Sequence, residues 1–283
     1  MTNRDFILAP TSIDVRIELE PGHSMLNTLS LLMDIDNYTG MDEWLYQLNR
    51  HLSPEVILRN SVLMEIFSLQ LLRQDVSWPD LNAVADFLQM QDAEELINAH
   101  LAQVQEWIAS KPGASTPNID DLRHEYDIFY AEITRLQAEK DIEANENVLR
   151  LSWEMLQTPQ ETRDLAVQHL RDMWQQVLKD EWTRRQPMLE ETVAAFQKLD
   201  YTHKSALEVT RIITGRDLSD TPLAEKLRKL ENAQRLVFVP NPHIGPYVGI
   251  IEGSQLTRVY FRPRMPEGVF NYSPAIDRSE LLV

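Results

Sequence analysis

The sequence predicts an α+β fold that is mostly α-helical, with a small antiparallel sheet formed by an N-terminal strand and about three C-terminal strands. Near the start, Ile13, Val15 and Ile17 alternate with charged residues, which is the period of a half-buried strand. Apolar residues at helical spacing follow for some 200 residues. Short β-rich runs return after residue 235. A strand at each end predicts a single sheet that brings the two ends together.

The helical part contains two starts marked by a capping residue followed by proline. These are Ser53-Pro54 and Thr158-Pro159, where the side chain can accept a backbone hydrogen bond and proline is tolerated in the first turn. Glu161 gives the second start the spacing of a capping box.

Proline and glycine divide the rest of the helical part. Pro187 is expected to break or kink the long stretch 159–199, because proline lacks the N–H group and clashes with the preceding turn. A further helix is predicted over 201–213, closed by Gly215. The segment 111–118 (KPGASTPN) is predicted to be a loop. It either separates two subdomains or joins two helices, and we favour the second.

Three β-rich runs cover residues 236–239, 247–251 and 256–261. The last two are separated by Glu252-Gly253-Ser254-Gln255, which predicts a hairpin. We therefore divide the chain into a helical domain with its N-terminal strand, residues 1–232, and a hairpin element with a linker, residues 233–283.

Composition excludes several functions. The chain has 283 residues, no cysteine, and 44 acidic against 27 basic residues, for a net charge of −17. Without cysteine there is no disulfide, thiolate metal site or thiol nucleophile. A surface with this net negative charge repels the phosphate backbone of a nucleic acid. No apolar run reaches the length of a membrane span and the start lacks a signal peptide, so we expect a cytoplasmic protein that does not bind a membrane.

Catalytic signatures are missing from the sequence. There is no Walker-type loop, no G-x-G-x-x-G, no G-x-S-x-G and no H-E-x-x-H. Glu161, His169 and Asp172 have the spacing of a divalent-metal site on one helix, but a solvated helix face explains them better. We predict that the protein is not an enzyme and that it has no catalytic residue, no bound cofactor and no metal.

Tryptophan side chains lie on or beside the apolar helical stripes. Trp153, Trp174 and Trp182 are either core residues or the lining of an apolar cavity for a small molecule. Ten methionines would suit an adaptable cavity.

The most unusual segment is FVPNPHIGPY, residues 238–247. Three prolines and a glycine stiffen the connection between two strands and leave Asn241, His243 and Tyr247 as its polar points. The segment is either a stiff hairpin-like corner or a loop that faces a ligand. With the three tryptophans, these three residues are our candidate ligand or interface positions.

The run RLVFVPNPHIGPYVGIIEGSQLTRVYFRPR, residues 235–264, resembles the last part of the N-terminal region of bacterial ArsR-like winged-helix transcription regulators. The opening strand followed by short helices fits the same pattern. The resemblance implies a regulatory domain that binds an unassigned effector, with a winged helix-turn-helix after it. Ser279 to Val283 look like the first turn of that winged helix. The cysteine-based metal sensing of the wider family does not carry over.

We therefore expect the regulatory, effector-sensing and dimerisation domain of a transcription regulator. Its partners would be a second copy of the chain, a small-molecule effector of unknown identity, and DNA through a winged helix after Val283. The effector would favour one of two dimer arrangements and so alter the spacing of two winged helices. The alternatives are a protein-interaction scaffold and, with less support, a metal-assisted hydrolase that uses His169.

Overall fold

A four-stranded sheet joins the two ends of the described chain. The computed structural model describes residues 13–33, 35–111, 116–139, 144–229 and 235–268. The strands are β1 (Asp14–Ile17), β2 (Arg235–Pro240), β3 (Gly249–Glu252) and β4 (Leu256–Phe261). Their order in the sheet is β1-β2-β4-β3. The predicted pairing of the N-terminal strand with a C-terminal strand is confirmed, since Val15 lies beside Leu236.

The predicted antiparallel direction is wrong for two of the three strand pairs. β1 pairs with β2 in parallel and β2 pairs with β4 in parallel, while only the hairpin β3–β4 is antiparallel, as predicted. A tight turn forces neighbouring strands to be antiparallel, but a long connection leaves their direction free. Between β1 and β2 the chain passes through the whole helical body before it re-enters the sheet.

The segment between β2 and β3 is not a hairpin corner. β2 and β3 lie on opposite sides of β4, so residues 241–248 cross the end of that strand. We call these residues the connection segment. Because the connection segment crosses the end of β4, it contains turns and buried polar contacts where a hairpin would have only a short reversal of the chain.

Most of the described chain is α-helical. The twelve α-helices are α1 (Pro21–Met33), α2 (Glu43–His51), α3 (Pro54–Leu72), α4 (Leu81–Met90), α5 (Ala93–Ala109), α6 (Ile119–His124), α7 (Tyr126–Ala138), α8 (Glu146–Leu156), α9 (Pro159–Met173), α10 (Lys179–Phe196), α11 (Ala206–Thr214) and α12 (Pro222–Lys229). The predicted loop 111–118 falls between α5 and α6, and its residues 112–115 lie outside the described residues.

Capping explains several helix ends. Ser53 Oγ accepts from the backbone N–H of Val56 at 3.4 Å, as predicted. Thr158 makes no such bond, so the capping box predicted there is wrong: its backbone, with φ −125° and ψ 63°, is not that of an extended N-cap residue. A full capping box instead joins Ser205 and Glu208 at the start of α11, which begins five residues later than predicted and ends, as predicted, at Gly215.

The long helix does not break at Pro187. A π-helical turn, Trp174–Leu178, links α9 to α10, and α10 continues through the proline. Proline deprives the carbonyl of Thr183 of its helical partner, but both residues are exposed and water can bind that carbonyl.

The sheet is a middle layer between two apolar cores. Alternate residues of a strand face opposite sides, so Val237 and Val239 contribute to the larger core while Leu236 and Phe238 contribute to the smaller one. Helices from the first two thirds of the chain form the larger core. The end of α10 with α11 and α12 covers the other face.

Candidate functional site

Helix α1 carries polar residues on one side although nearly the whole helix is buried. Ser24, Asn27 and Thr28 have the spacing i, i+3, i+4 and therefore share a face. That face lies against the end of β2, where Ser24 Oγ donates to the carbonyl of Pro240 at 3.4 Å. The buried polar groups of α1 are thus placed to bind the connection segment.

Asn241, the first residue of the connection segment, uses every polar atom of its side chain. Its Nδ2 donates to the carbonyl of Ser24 at 2.9 Å and to Oδ1 of Asn27 at 3.0 Å. Its Oδ1 accepts from the backbone N–H of His243 at 2.8 Å. The backbone N–H of Asn241 donates to the carbonyl of Phe261 at 2.8 Å. Asn241 therefore holds α1, β4 and the connection segment together.

His243 is fully buried and contacts three helices. Its Nδ1 lies 2.9 Å from the hydroxyl of Thr28 on α1. Its Nε2 lies 3.1 Å from Oε1 of Glu181 on α10. Its ring stacks on Trp44 of α2, with centroids 4.6 Å apart and planes 27° apart.

Glu181 extends this cluster to the surface. Its carboxylate accepts from Nε of Arg184 and from Nε of Arg185, each at 2.8 Å. Arg185 also donates to Oδ1 of Asp42 at 2.9 Å, and Asp42 is the N-cap of α2. The backbone N–H of Asp42 donates to the carbonyl of His243 at 3.4 Å, which closes a ring of contacts.

We call Asp42, Glu181, Arg185, Asn241 and His243 the histidine network. Its inner members are buried, whereas the side chains of Arg185 and Asp42 are 21% and 23% exposed. The network therefore runs from a partly exposed ion pair to the buried face of α1.

Charges in the histidine network are set by burial and hydrogen bonding. Burial would raise the pKa of Glu181, but hydrogen bonds from His243, Arg185 and Arg184 outweigh it and lower the pKa to about 2. Burial lowers the pKa of His243, and the Glu181 carboxylate opposes this lowering without overcoming it. An ionised carboxylate only accepts hydrogen bonds, so Nε2 of the neutral His243 carries the proton.

A tight turn follows the histidine network. Gly245 has φ 59°, and a side chain there would meet the carbonyl oxygen of Gly40. The hydroxyl of Tyr247 accepts from the backbone N–H of Thr39 at 3.2 Å. Its ring meets that of Tyr38 edge to face, with centroids 5.2 Å apart. The connection segment is thus fixed to the loop that precedes α2.

A second buried polar cluster lies at the start of α1. Arg258 of β4 is 1% exposed, pairs with Glu20, and donates to the carbonyl of Gln74 at 2.6 Å. Burial raises the pKa of Glu20 against the lowering effect of Arg258. His23 stacks on Trp78 with centroids 4.5 Å apart, and burial together with the charge of Arg258 lowers the pKa of His23 to about 2. These contacts fasten the start of α1 to β4 and to the segment after α3.

The three candidate tryptophans lie on different helical segments, with Trp153 on α8, Trp174 in the π-helical turn and Trp182 on α10. Trp174 and Trp182 are buried in the larger core, and Trp182 follows Glu181 in the chain. Trp153 is half-buried on α8 and meets Tyr126 edge to face, with centroids 5.5 Å apart.

The suggested metal position at His169 is occupied by protein contacts. His169 is buried, and its Nε2 lies 3.1 Å from Oδ1 of Asn60. The interpretation of a solvated helix face is wrong for this residue, and burial lowers its pKa to about 4. Among the described residues, no group of three or more histidine, aspartate or glutamate side chains could hold a metal ion.

Sequence reasoning found Asn241, His243 and Tyr247 but missed the residues that bind them. The polar spacing of Ser24, Asn27 and Thr28 on an apolar helix was a usable signal. Glu181 offered none, because its charged neighbours make it look like any exposed acid.

Asn241 and His243, the residues at the centre of the histidine network, have no exposed surface. No family model, no curated protein and no solved structure matches the chain. Within the part of the chain that the structure describes, no helix combines the length and apolar character needed to cross a bilayer.

Proposed function

We propose that this chain is the regulatory part of a bacterial transcription regulator, a non-catalytic domain that senses an effector and dimerises. Its DNA contacts would be made by a winged helix that follows Val283, as the resemblance of residues 235–264 implies. The effector, the dimer, the DNA partner and the cytoplasmic location all belong to this proposal.

One observation carries the proposal: the segment on which the resemblance rests is bonded by buried side chains to three helices far away in sequence. His243 touches Thr28 of α1, Trp44 of α2 and Glu181 of α10. A polar network of this kind is favourable only when it is complete, since a half-broken one leaves buried groups unpaired. It is therefore suited to a domain that changes between two states.

The histidine network also connects a partly exposed ion pair, Asp42 with Arg185, to the buried side chain of His243. An effector that drew Arg185 away from both Asp42 and Glu181 would leave the buried Glu181 carboxylate with one cation fewer and would disfavour the ionised form that His243 binds. The carbonyl of His243 would also lose its bond from the N–H of Asp42 when α2 moved. Such an effector acts only if it binds one arrangement better than the other.

The test is to tag the chromosomal gene in its own organism and map the DNA that the product occupies. We expect discrete enriched sites whose occupancy changes when the medium or the effector changes. A cross-linked sample with no enrichment over an untagged strain would overturn the transcriptional role and leave the scaffold alternative.

A variant links the DNA map to the histidine network. Asp42→Asn keeps the cap of α2 but weakens the pair with Arg185, and we expect it to alter the effector response of DNA occupancy. Asp92→Asn is the matched control, because Asp92 is also an N-cap, of α5, and its side chain accepts from the N–H of Glu95 at 2.9 Å. Equal behaviour of both variants would refute the role of the network.

A further inference from the structure

The outer edge of β1 faces a groove. Among the described strands β1 lies at one end of the sheet, and the backbone N–H of Glu18 donates to the carbonyl of Phe238 in β2 at 3.1 Å. Successive residues of a strand direct their backbone groups to opposite sides, so those of Val15 and Ile17 point away from β2. The carbonyl of Ile17 accepts from Nε2 of Gln197 at 2.8 Å, as this alternation requires.

The groove has a volume of about 270 Å³ and lies between β1 and the residues after α10. Its lining comprises Val15, Arg16, Ile17, Glu18, Gln197, Leu199 and Tyr201. Leu199 is one of the few large apolar side chains of the described chain that are exposed. An outward-facing strand edge that opens on a groove is the arrangement that accepts an added strand.

We propose that this groove takes β1 of a second copy, in the antiparallel direction, so that two four-stranded sheets join into one. A twofold axis through Val15 places this residue opposite the partner's Val15, where two backbone hydrogen bonds form. The inference rests on the proposed function, because it names the surface through which the proposed regulator dimerises.

Charge favours this register over the two that lie one residue to either side, and a register centred on Ile17 is disfavoured because the carbonyl of Ile17 already accepts from Gln197. With Val15 opposite the partner's Val15, Asp14 lies opposite the partner's Arg16, and the twofold axis repeats the pair. Moving the twofold axis by one residue toward the C-terminus places Arg16 opposite the partner's Arg16. Shifting the other way places Asp14 opposite the partner's Asp14. Like charges directly opposite each other destabilise a strand pair.

The side chains that this register uses are free to turn toward a partner. Asp14 is 51% and Arg16 46% exposed, and they pair with each other at 3.3 Å. Asp14 also accepts from Nε of Arg235 at 2.9 Å. In the dimer, the ion pair between Asp14 and Arg16 of one strand is replaced by the same ion pair between two strands, so each charge keeps a partner.

The absence of cysteine permits a direct test by cross-linking. In a hydrogen-bonded antiparallel pair the two Cα atoms are about 5.5 Å apart, which a disulfide spans. We expect Val15→Cys in the full chain to form a covalent dimer under mild oxidation. Glu191→Cys, exposed on α10, serves as the control that reports random collision.

Sedimentation velocity of the full chain gives the second measurement. Arg16→Asp puts two acids opposite each other at both ends of the pair, and we expect the dimer dissociation constant to rise about tenfold. Adding Asp14→Arg to the same chain exchanges the two charges and is expected to restore most of the affinity. Circular dichroism checks that each variant is folded.

Three outcomes overturn the inference: a wild-type chain that stays monomeric at micromolar concentration, a dimer that Val15→Cys does not cross-link more than Glu191→Cys does, and a dimer unaffected by Arg16→Asp. The last two leave the proposed function intact, because a dimer would then form elsewhere. Loss of DNA occupancy in the mapping experiment, by contrast, removes the function whatever the dimer shows.

Discussion

Nε2 of His243 lies 3.1 Å from Oε1 of Glu181, and the two side chains belong to segments 62 residues apart. Both are buried, and the carboxylate also binds two arginines. A buried carboxylate with this set of donors is favourable only while all its partners remain. The pair therefore fixes α10 to the connection segment.

Replacement of Glu181 by glutamine should destabilise the protein strongly. The amide removes the negative charge that balances Arg184 and Arg185, and half of its polar atoms are donors that face other donors. We expect the free energy of unfolding to fall by about 3 kcal/mol, as for other broken buried pairs. Urea denaturation followed by circular dichroism measures it.

Glu190→Gln is the control for that substitution. Glu190 lies on the same helix, is exposed, and accepts only from Nε2 of Gln186, at 2.8 Å. We expect a change within about 0.5 kcal/mol. If both variants unfold at the same urea concentration, the histidine network contributes no stability.

Asn241→Asp tests whether the two donors of this side chain are needed. Its Nδ2 donates to the carbonyl of Ser24 and to Oδ1 of Asn27, so aspartate would place a buried oxygen against two acceptors. We expect a loss of at least about 3 kcal/mol in the free energy of unfolding. Thermal and urea denaturation measure it.

The matched control is Asn118→Asp, the same substitution at the N-cap of α6. There only the side-chain oxygen is used, accepting from the N–H of Asp121 at 2.7 Å, and an aspartate accepts equally well. We expect no loss at this position. A similar loss in both variants would show that the donors of Asn241 are dispensable.

Gly245→Ala tests the turn that holds the connection segment against the loop before α2. The residue has φ 59°, and a Cβ atom would lie 2.8 Å from Cα of Met41. Backbone strain and overlap together are expected to cost more than about 2 kcal/mol of stability. Gly268→Ala has a similar φ of 81° with nothing within 4 Å, and is expected to cost only about 1 kcal/mol. Equal melting temperatures of the two variants would exclude the close approach.

The sequence predicted the elements whose signal is local. The alternation of Ile13, Val15 and Ile17 predicted β1, and the turn residues after Glu252 predicted the β3–β4 hairpin. The direction of β2 was not predictable in this way, because it depends on where a chain of more than 200 residues re-enters the sheet. The prolines and the glycine around Asn241 and His243 made these two residues candidates, but no pattern in the sequence indicated the residues that bind them.

The sequence did not reveal the residues that bind Asn241 and His243, because the burial of a charged residue depends on tertiary packing. Glu181 and Glu190 lie on the same helix, yet one is buried beside His243 and the other is exposed. With 44 acidic residues in the chain, no spacing rule distinguishes them. His169 illustrates the converse: its charged neighbours suggested a solvated face, whereas its ring lies against Asn60.

Acid should destabilise the protein through its buried histidines. Burial lowers the pKa of His100 and of His169 to about 4 and contributes most to the lowering at His23, to about 2. In the unfolded chain histidine titrates near 6.5. Below that pH the unfolded state binds protons that the folded state does not, so stability is full above it and is lost as the pH falls.

The expected loss approaches 1.4 kcal/mol per pH unit for each such histidine, about 2 kcal/mol each between pH 7 and pH 5. Urea denaturation at a series of pH values measures it. His169→Gln keeps a donor for Oδ1 of Asn60 but cannot titrate, so its stability should fall less steeply with acid. His124→Gln, at an exposed position, should keep the wild-type slope. A slope for His169→Gln equal to that of the wild type would mean that folding does not shift the pKa of His169, which would contradict its burial.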